Sequence, residues 1–464
     1  MDLDLVSGRA VWAGARVEGE EQDDGVDLPL ARLGPRLLLV NQHYYPDVAS
    51  TGQHLTDLAE HLAREGFDVE VLTGRGKYVA GKMEAPAREE RNGVRIRRLR
   101  TTSFGRVKHA GRIADYLSFY VRVLIALLFG AQRDGVLFLT TPPLLGFLGA
   151  IARLVRGQRY GVWSMDLHPD AEVASGMLRE RSALAKLLEW ANATGYRYAD
   201  FVVDLGPYMK RRIVAKGVAT ERTHTVHVWS AKDEIVPTAR EENPLIDDLG
   251  LRDKFVVMYS GNAGIVHDFD AICEAMRLLK EDERIHFLFV GNGPRRKEVE
   301  EFVSANGITN FQYRDYFSRE QLKYSLSVAD AHLISLRAPF VGISVPGKLY
   351  GIMASARPAL FVGPTQCESA ETIMDAGCGA VIDPGEGQGG ERLAALIRDL
   401  SQAPETAEQY GLAGRVAFEK RYEREVNCEM FAQVLGRAWR ERKEAVLRPA
   451  AAATRPGDAV WMDA

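Results

Sequence analysis

Short apolar runs alternate with helix-length segments along most of this chain, and the alternation starts twice. The first series places strands at 37–41, 69–73, 94–98, 136–140, 160–165, 201–204 and 225–229, with helical segments such as 51–64 and 183–198 between them. The runs are rich in Val, Leu and Ile without clean alternation, as in parallel strands covered by helices on both faces. A polar stretch, 230–253, interrupts the pattern with Pro237, Pro244 and charges of both signs. Apolar runs resume at 255–260, 286–290, 311–314, 332–336, 359–362 and 380–382. The prediction is an α/β fold of two doubly wound Rossmann-like domains, 36–229 and 254–440, facing a central cleft across that linker. The last helix of the second domain is placed to reach back onto the first. A chain of 464 residues is too long for one ordinary core and suits two. Ligands of such sheets bind beyond the carboxyl ends of the strands, so the site is expected in the cleft.

Both ends are set apart from the fold. Residues 1–35 carry an acidic run (Glu18, Glu20, Glu21, Asp23, Asp24) and lack the basic start and apolar stretch of an export signal. Residues 441–464 read as a disordered, alanine-rich tail. A net charge of -4 argues against bulk nucleic-acid binding. Cys273, Cys367, Cys378 and Cys428 have no metal-ligand spacing and read as free thiols of a reducing compartment. The expected location is cytoplasmic. The most apolar stretch, 116–130, falls short of the roughly 20 residues needed to span a bilayer and contains Arg122. Before it lies a basic cluster of Arg95, Arg97, Arg98, Arg100, Arg106, Lys108 and Arg112. That pairing suggests peripheral docking on the anionic inner leaflet, against the plainer reading of a buried helix beside a solvated edge strand.

Glycine-rich turns in the second half fall where strands hand over to helices. Ser260-Gly261-Asn262-Ala263-Gly264 follows one strand and Gly291-Asn292-Gly293-Pro294 follows the next. Such turns let backbone approach a ligand, although any strand-to-helix turn favours Gly and Asn. The run Val345-Pro346-Gly347-Lys348-Leu349 opens a short helix with a cation in its first turn. There the helix dipole disfavours a cation, unless an anion is shared between the two.

The run 345–364, with the Gly261 turn, His267-Asp268-Phe269-Asp270 and the first-half loop Tyr44-Tyr45-Pro46-Asp47-Val48-Ala49-Ser50-Thr51-Gly52, resembles the family-4 retaining glycosyltransferases. It looks closest to the bacterial branch that builds O-antigen, colanic-acid and other exopolysaccharide units. The resemblance covers about 36–439 and implies a GT-B fold, with the acceptor domain first and the nucleotide-sugar domain second. It implies transfer from a nucleoside-diphosphate sugar, UDP by default, to a lipid-linked or polysaccharide precursor, with no metal and no cofactor. Donor contacts would come from Gly52, Gly261, Asn262, Gly264, Lys348 and Leu349, with Lys348 on the diphosphate. The family's glutamate pair is missing, since its places hold Ile343 and Gly351. Glu368, with Glu371 after it, is the candidate replacement for the ribose contact, against a reading as acidic residues in a first helical turn. An arginine that relatives carry after the Gly264 turn is here Ile265. The stretch 311–317 is expected beside the base.

In the first half, Asp166 and His168 follow a buried run and are candidates for touching the transferred sugar. Asp166 reads equally as a loop residue accepting backbone hydrogen bonds. Asp268-Phe269-Asp270 has the form of a metal-binding Asp-x-Asp but opens a helix, where capping explains it better. Two other readings share this fold, a nucleotide-sugar 2-epimerase and a non-catalytic transferase-like scaffold.

Overall fold

The computed structural model describes residues 34–47, 49–75, 85–102, 104 and 109–439. Residues 1–33, the tail from 440 onward, Val48, Arg106 and Lys108 lie outside the described residues. The first domain carries β1 (Arg36–Val40), β2 (Asp68–Gly74), β3 (Arg88–Arg91), β4 (Val94–Leu99), β5 (Gly135–Phe138), β6 (Tyr160–Trp163), β7 (Val202–Asp204) and β8 (Thr223–Thr225). Their spatial order is β3-β4-β2-β1-β5-β6-β7-β8, parallel except for the β3–β4 pair. The second domain carries β9 (Phe255–Ser260), β10 (Ile285–Val290), β11 (Phe311–Arg314), β12 (Ala331–Ser335), β13 (Ala359–Val362) and β14 (Gly379–Ile382). These run parallel in the order β11-β10-β9-β12-β13-β14.

Two strands differ from the expectation. The hairpin strand β3 is Arg-Glu-Glu-Arg, with no apolar run to reveal it. Its signal was the Asn92-Gly93 turn, whose φ angles of 46° and 78° are the left-handed pair that a two-residue hairpin loop requires. The run 225–229 is a strand only at its first residue: β8 ends at Thr225, Val226, Val228 and Trp229 are buried beyond it, and Trp229 stacks on Trp163 at 5.5 Å. The stretch 230–253 carries the short helix Pro244–Asp248, whose Leu245 and Ile246 pack with Val256 and Met258 of β9. From the second domain, the last helix, Arg424–Trp439, crosses to the first. Phe431 meets Trp163 at 4.8 Å, and the Trp439 indole lies so close to β5 that a Cβ on Gly135 would sit 2.2 Å from it.

Three arginines of the basic cluster are sheet residues with acidic partners. Arg95 pairs with Asp68 at 2.7 Å, Arg97 with Glu70 at 3.4 Å, and the buried Arg98 with Glu89 at 2.6 Å. They neutralise the β2–β4 edge and are not a free basic patch. Among the described residues, no helix is long and apolar enough to cross a membrane.

Candidate active site

Both sheets reverse strand order at one point, β1/β5 in the first and β9/β12 in the second. Ligands of doubly wound sheets sit at the carboxyl ends of such strands. The two carboxyl edges face one another here. Leu167 N–H, beyond β6, donates to Ile343 O at 3.0 Å, and Asp166 forms an isolated bridge with Ser344, beyond β12.

At the β9/β12 point the chain assembles a buried cationic corner. Lys348 Nζ lies 3.8 Å from the centroid of the Tyr259 ring and 3.4 Å from where a Cβ on Gly261 would stand. Its ammonium is buried and has no hydrogen-bond partner among the described residues. Burial pushes its pKa down to about 7. Beside the same ring, 5.8 Å away edge to face, is the buried His267, whose Nδ1 faces Ser335 O at 2.6 Å. Burial and then the Lys348 charge hold His267 down at about 3, so it is neutral, with Nδ1–H donating to that carbonyl.

The glycine turns close this corner by touching each other. Gly261 N–H donates to Val290 O and Ala263 N–H to Asn292 O, at 2.9 and 2.7 Å. A Cβ on Gly291 would stand 2.1 Å from Gly261 O, and one on Gly293 2.5 Å from Ala263 O. With φ of 130° and 145°, only glycine fits either place. A narrow cleft beside them is lined by Gly261, Gly291, Asn292, Arg296, Phe311 and Tyr313. The Arg296 guanidinium sits 3.5 Å over the Tyr313 ring, which brings part of the 311–317 stretch to the cleft.

Sequence reasoning found no second cation near Ile265, and the fold supplies one. Arg337, just past β12, donates from Nη1 to Ile265 O at 3.1 Å and from its backbone to Val266 O at 2.9 Å. It forms no ion pair among the described residues. Its signal in sequence was a cation at a strand's carboxyl end, but only the β9/β12 pairing shows which turn it meets.

The remaining predicted residues separate. Asp166 stays in the cleft: its backbone N–H meets Thr140 Oγ1 at 3.2 Å and its carboxylate accepts from the Ser344 hydroxyl. Burial raises its pKa, opposed by His168 and by the Ser344 bond. The His168 ring faces Glu172 at 2.8 Å. Burial disfavours its charge, but the Glu172 carboxylate, with Asp166 behind it, outweighs that and raises its pKa. Gly52 packs against the first loop, where a Cβ would stand 3.1 Å from the His43 carbonyl carbon. Leu349 is buried in the core and its N–H donates to Pro346 O, so its side chain serves the packing of the short helix that carries Lys348.

Glu368 reaches across to the first domain. Its carboxylate accepts from Met209 N–H at 2.8 Å, closing the first turn of the helix Pro207–Ala215 in the other domain. A Cβ on Gly206 would stand 2.4 Å from its Cγ. Burial raises its pKa, opposed by the backbone bonds of its own helix and of that turn. One oxygen of Glu368 is thus used in joining the domains, while its Oε2 is buried without a hydrogen-bond partner among the described residues. Ile343 and Gly351 bring no carboxylate: Ile343 is buried, and Gly351 faces Leu326, Ile235 and Ser230.

Asp268 turns back on its own loop, accepting Asp270 N–H at 3.0 Å where the helix Asp270–Leu278 begins. Among the described residues, one group could hold a metal ion, His61 with Glu65 and Glu429. It lies nine residues beyond Gly52 on the helix Ser50–Arg64, roughly 13 Å along its axis. There His61 Nδ1 already meets Glu425 at 2.9 Å.

Residues 51–229 match the model of the glycosyl transferase 4-like domain. Over 387 residues the chain is 24% identical to the putative colanic acid biosynthesis glycosyl transferase WcaI of Escherichia coli K12, covering 79% of this chain and 92% of that one. The domain match covers the first domain, and this relative extends the likeness to glycosyltransferases along most of the chain. The probable glycosyltransferase WbjE of Pseudomonas aeruginosa is 25% identical over 301 residues, 65% of this chain and 74% of its own. In three dimensions this GT-B fold is similar to that of Anabaena Alr3699/HepE, solved in complex with UDP and glucose. The TM-score is 0.64 at 14% identity, over 87% of this chain and all of that one. The matched domain and both curated relatives are those of glycosyltransferases.

Proposed function

We propose that this glycosyltransferase moves a sugar, with retention of anomeric configuration, from a UDP-sugar to a lipid-linked or polysaccharide precursor of a surface glycan. The observation that carries the donor half is the buried, unpaired Lys348 ammonium at the switch point of the second sheet. An unpaired buried cation is costly, and a diphosphate would relieve it. Arg337 and the backbone around Gly261, Asn262 and Gly264 would share that anion, with Gly52 approaching from the first domain. The charge of the diphosphate is then met by the chain, without a metal.

Asp166 and His168 stand on the opposite wall and would position the transferred sugar. Proton removal from the acceptor falls to a donor phosphate oxygen at the reacting face, so no protein nucleophile is required. UDP is preferred because HepE, the similar fold, binds UDP, and the acceptor class follows the printed role of WcaI. The place of action would be the cytoplasmic face of the membrane, with peripheral attachment.

Thermal-shift titration with UDP, GDP, TDP and CMP, followed by transfer assays with the matching sugar donors, tests this reading. A ligand at 100 times its Kd stabilises by about 2.7 kcal/mol. Stabilisation by none of the four would sink it. Incubation with donor alone separates a 2-epimerase, which would change the sugar without an acceptor.

A further inference from the structure

The first domain exposes an apolar face that its core does not use. On the helix His109–Phe129, Ile113, Leu117 and Val121 are each 57% exposed, Ile125 48% and Phe129 82%. They recur every fourth residue, while Phe119 and Val123 of the same helix are buried. The neighbouring helix Leu145–Arg156 continues the face with Leu154 and Val155, 88% and 63% exposed. Arg156 holds the two helix ends together by donating to the carbonyls of Leu127 and Gly130 at 2.9 and 2.7 Å. A third helix, Ala183–Arg197, lies against the second through the Phe147–Trp190 ring pair at 5.4 Å and leaves Leu184, Leu187 and Trp190 more than half exposed. Soluble proteins rarely leave so many large apolar side chains together in water.

The charge on these helices points to the occupant. They carry six Lys or Arg residues and two carboxylates. Both carboxylates are engaged, Asp115 by the Phe104 N–H at 3.0 Å and Glu189 by Lys216 at 2.7 Å. Arg122 and Lys186 are exposed on the same helices and have no acidic partner among the described residues. Exposed aliphatic side chains, a tryptophan and uncompensated cations on helices that are not long and apolar enough to cross a bilayer are the signature of interfacial binding. A second copy of the chain would bring the same cations against these, which like-charge repulsion opposes.

We propose that the helices His109–Phe129, Leu145–Arg156 and Ala183–Arg197 form the face on which this protein docks to an anionic lipid bilayer, the apolar row entering the headgroup region and Arg122 and Lys186 meeting lipid phosphates. The lipid-linked acceptor of the proposed function would then reach the cleft from the same surface. The inference rests on that reading for its purpose alone, because vesicle binding is measured without donor or acceptor.

The test is flotation of the full chain with vesicles of phosphatidylcholine alone or mixed with phosphatidylglycerol, at low and high salt. Wild type should bind the mixed vesicles and lose binding with salt, since exposed charges are screened over about 8 Å at physiological ionic strength. Leu117→Gln with Ile125→Gln should weaken binding on the order of tenfold or more. Arg122→Glu should weaken it and flatten its salt dependence. All variants should keep wild-type melting temperature and UDP affinity, which separates a docking defect from misfolding. Wild type that floats with neither vesicle, or a double glutamine variant that floats like wild type, overturns the proposal. So does a wild-type dimer that the double variant dissolves, which would make the face a contact between copies. Vesicle binding without any nucleotide binding would instead overturn the donor-site reading and leave the docking face standing.

Discussion

Replacing Lys348 with Met keeps the aliphatic stem in its packing and removes the ammonium. Two effects of opposite sign follow. In the free enzyme, the fall of the pKa from 10.5 to about 7 corresponds to at most about 5 kcal/mol by which burial disfavours the charge. The folded value lies below the unfolded one, so the unfolded chain binds more protons between pH 7 and 10.5. Wild-type stability therefore rises with pH across that window. The Met variant should be the more stable protein near pH 6, with an advantage that fades towards pH 10. With a nucleoside diphosphate bound, the sign reverses, because a charge-assisted hydrogen bond of about 1.5–3 kcal/mol is lost, roughly 10- to 100-fold in affinity. Holding the anion requires the protonated amine, so wild-type affinity for UDP should fall as pH rises above 7, by up to about tenfold per unit, with net proton uptake on binding. The variant should bind weakly with a flatter pH profile, and should take up uridine like wild type. Calorimetry at pH 7, 8 and 9 in two buffers of different ionisation enthalpy, with thermal melts alongside, measures all of this. A Met variant that binds UDP as tightly as wild type and with the same pH slope would refute the assignment of the buried corner to the diphosphate.

Three other outcomes follow from the site. Asp166→Asn should lower turnover on the order of 100-fold while donor affinity moves little, and wild-type turnover would remove Asp166 from the reacting centre. Arg337→Met should weaken UDP binding by about tenfold and leave the melting temperature unchanged, read by the same calorimetry. Glu368→Ala should cost about 1 kcal/mol of stability through the lost cap on the helix Pro207–Ala215, with UDP affinity retained. A strong loss of UDP binding there would return Glu368 to the donor site.

The two wound sheets were legible in the sequence because hydrophobic periodicity is local: each buried strand announces itself in its own residues, as Phe255–Ser260 and Ala359–Val362 do. So was Lys348, whose cation in a first helical turn is a contradiction visible along the chain. Partnership is different, because it depends on residues far apart in sequence. Ile265 suggested a missing cation, and the β9/β12 pairing answers it with Arg337 from 72 residues away. Glu368 read either as a ribose ligand or as an acid in a first helical turn, and nothing local showed that one of its oxygens meets the other domain's helix turn across 159 residues. Arg95 and Arg97 read as a basic patch, yet strand pairing brings them diagonally across to Asp68 and Glu70. The apolar helix after them was visible as apolar. Only packing decided that every fourth residue from Ile113 to Phe129 faces outward, because a helix shows its composition in sequence but receives its buried side from what it packs against.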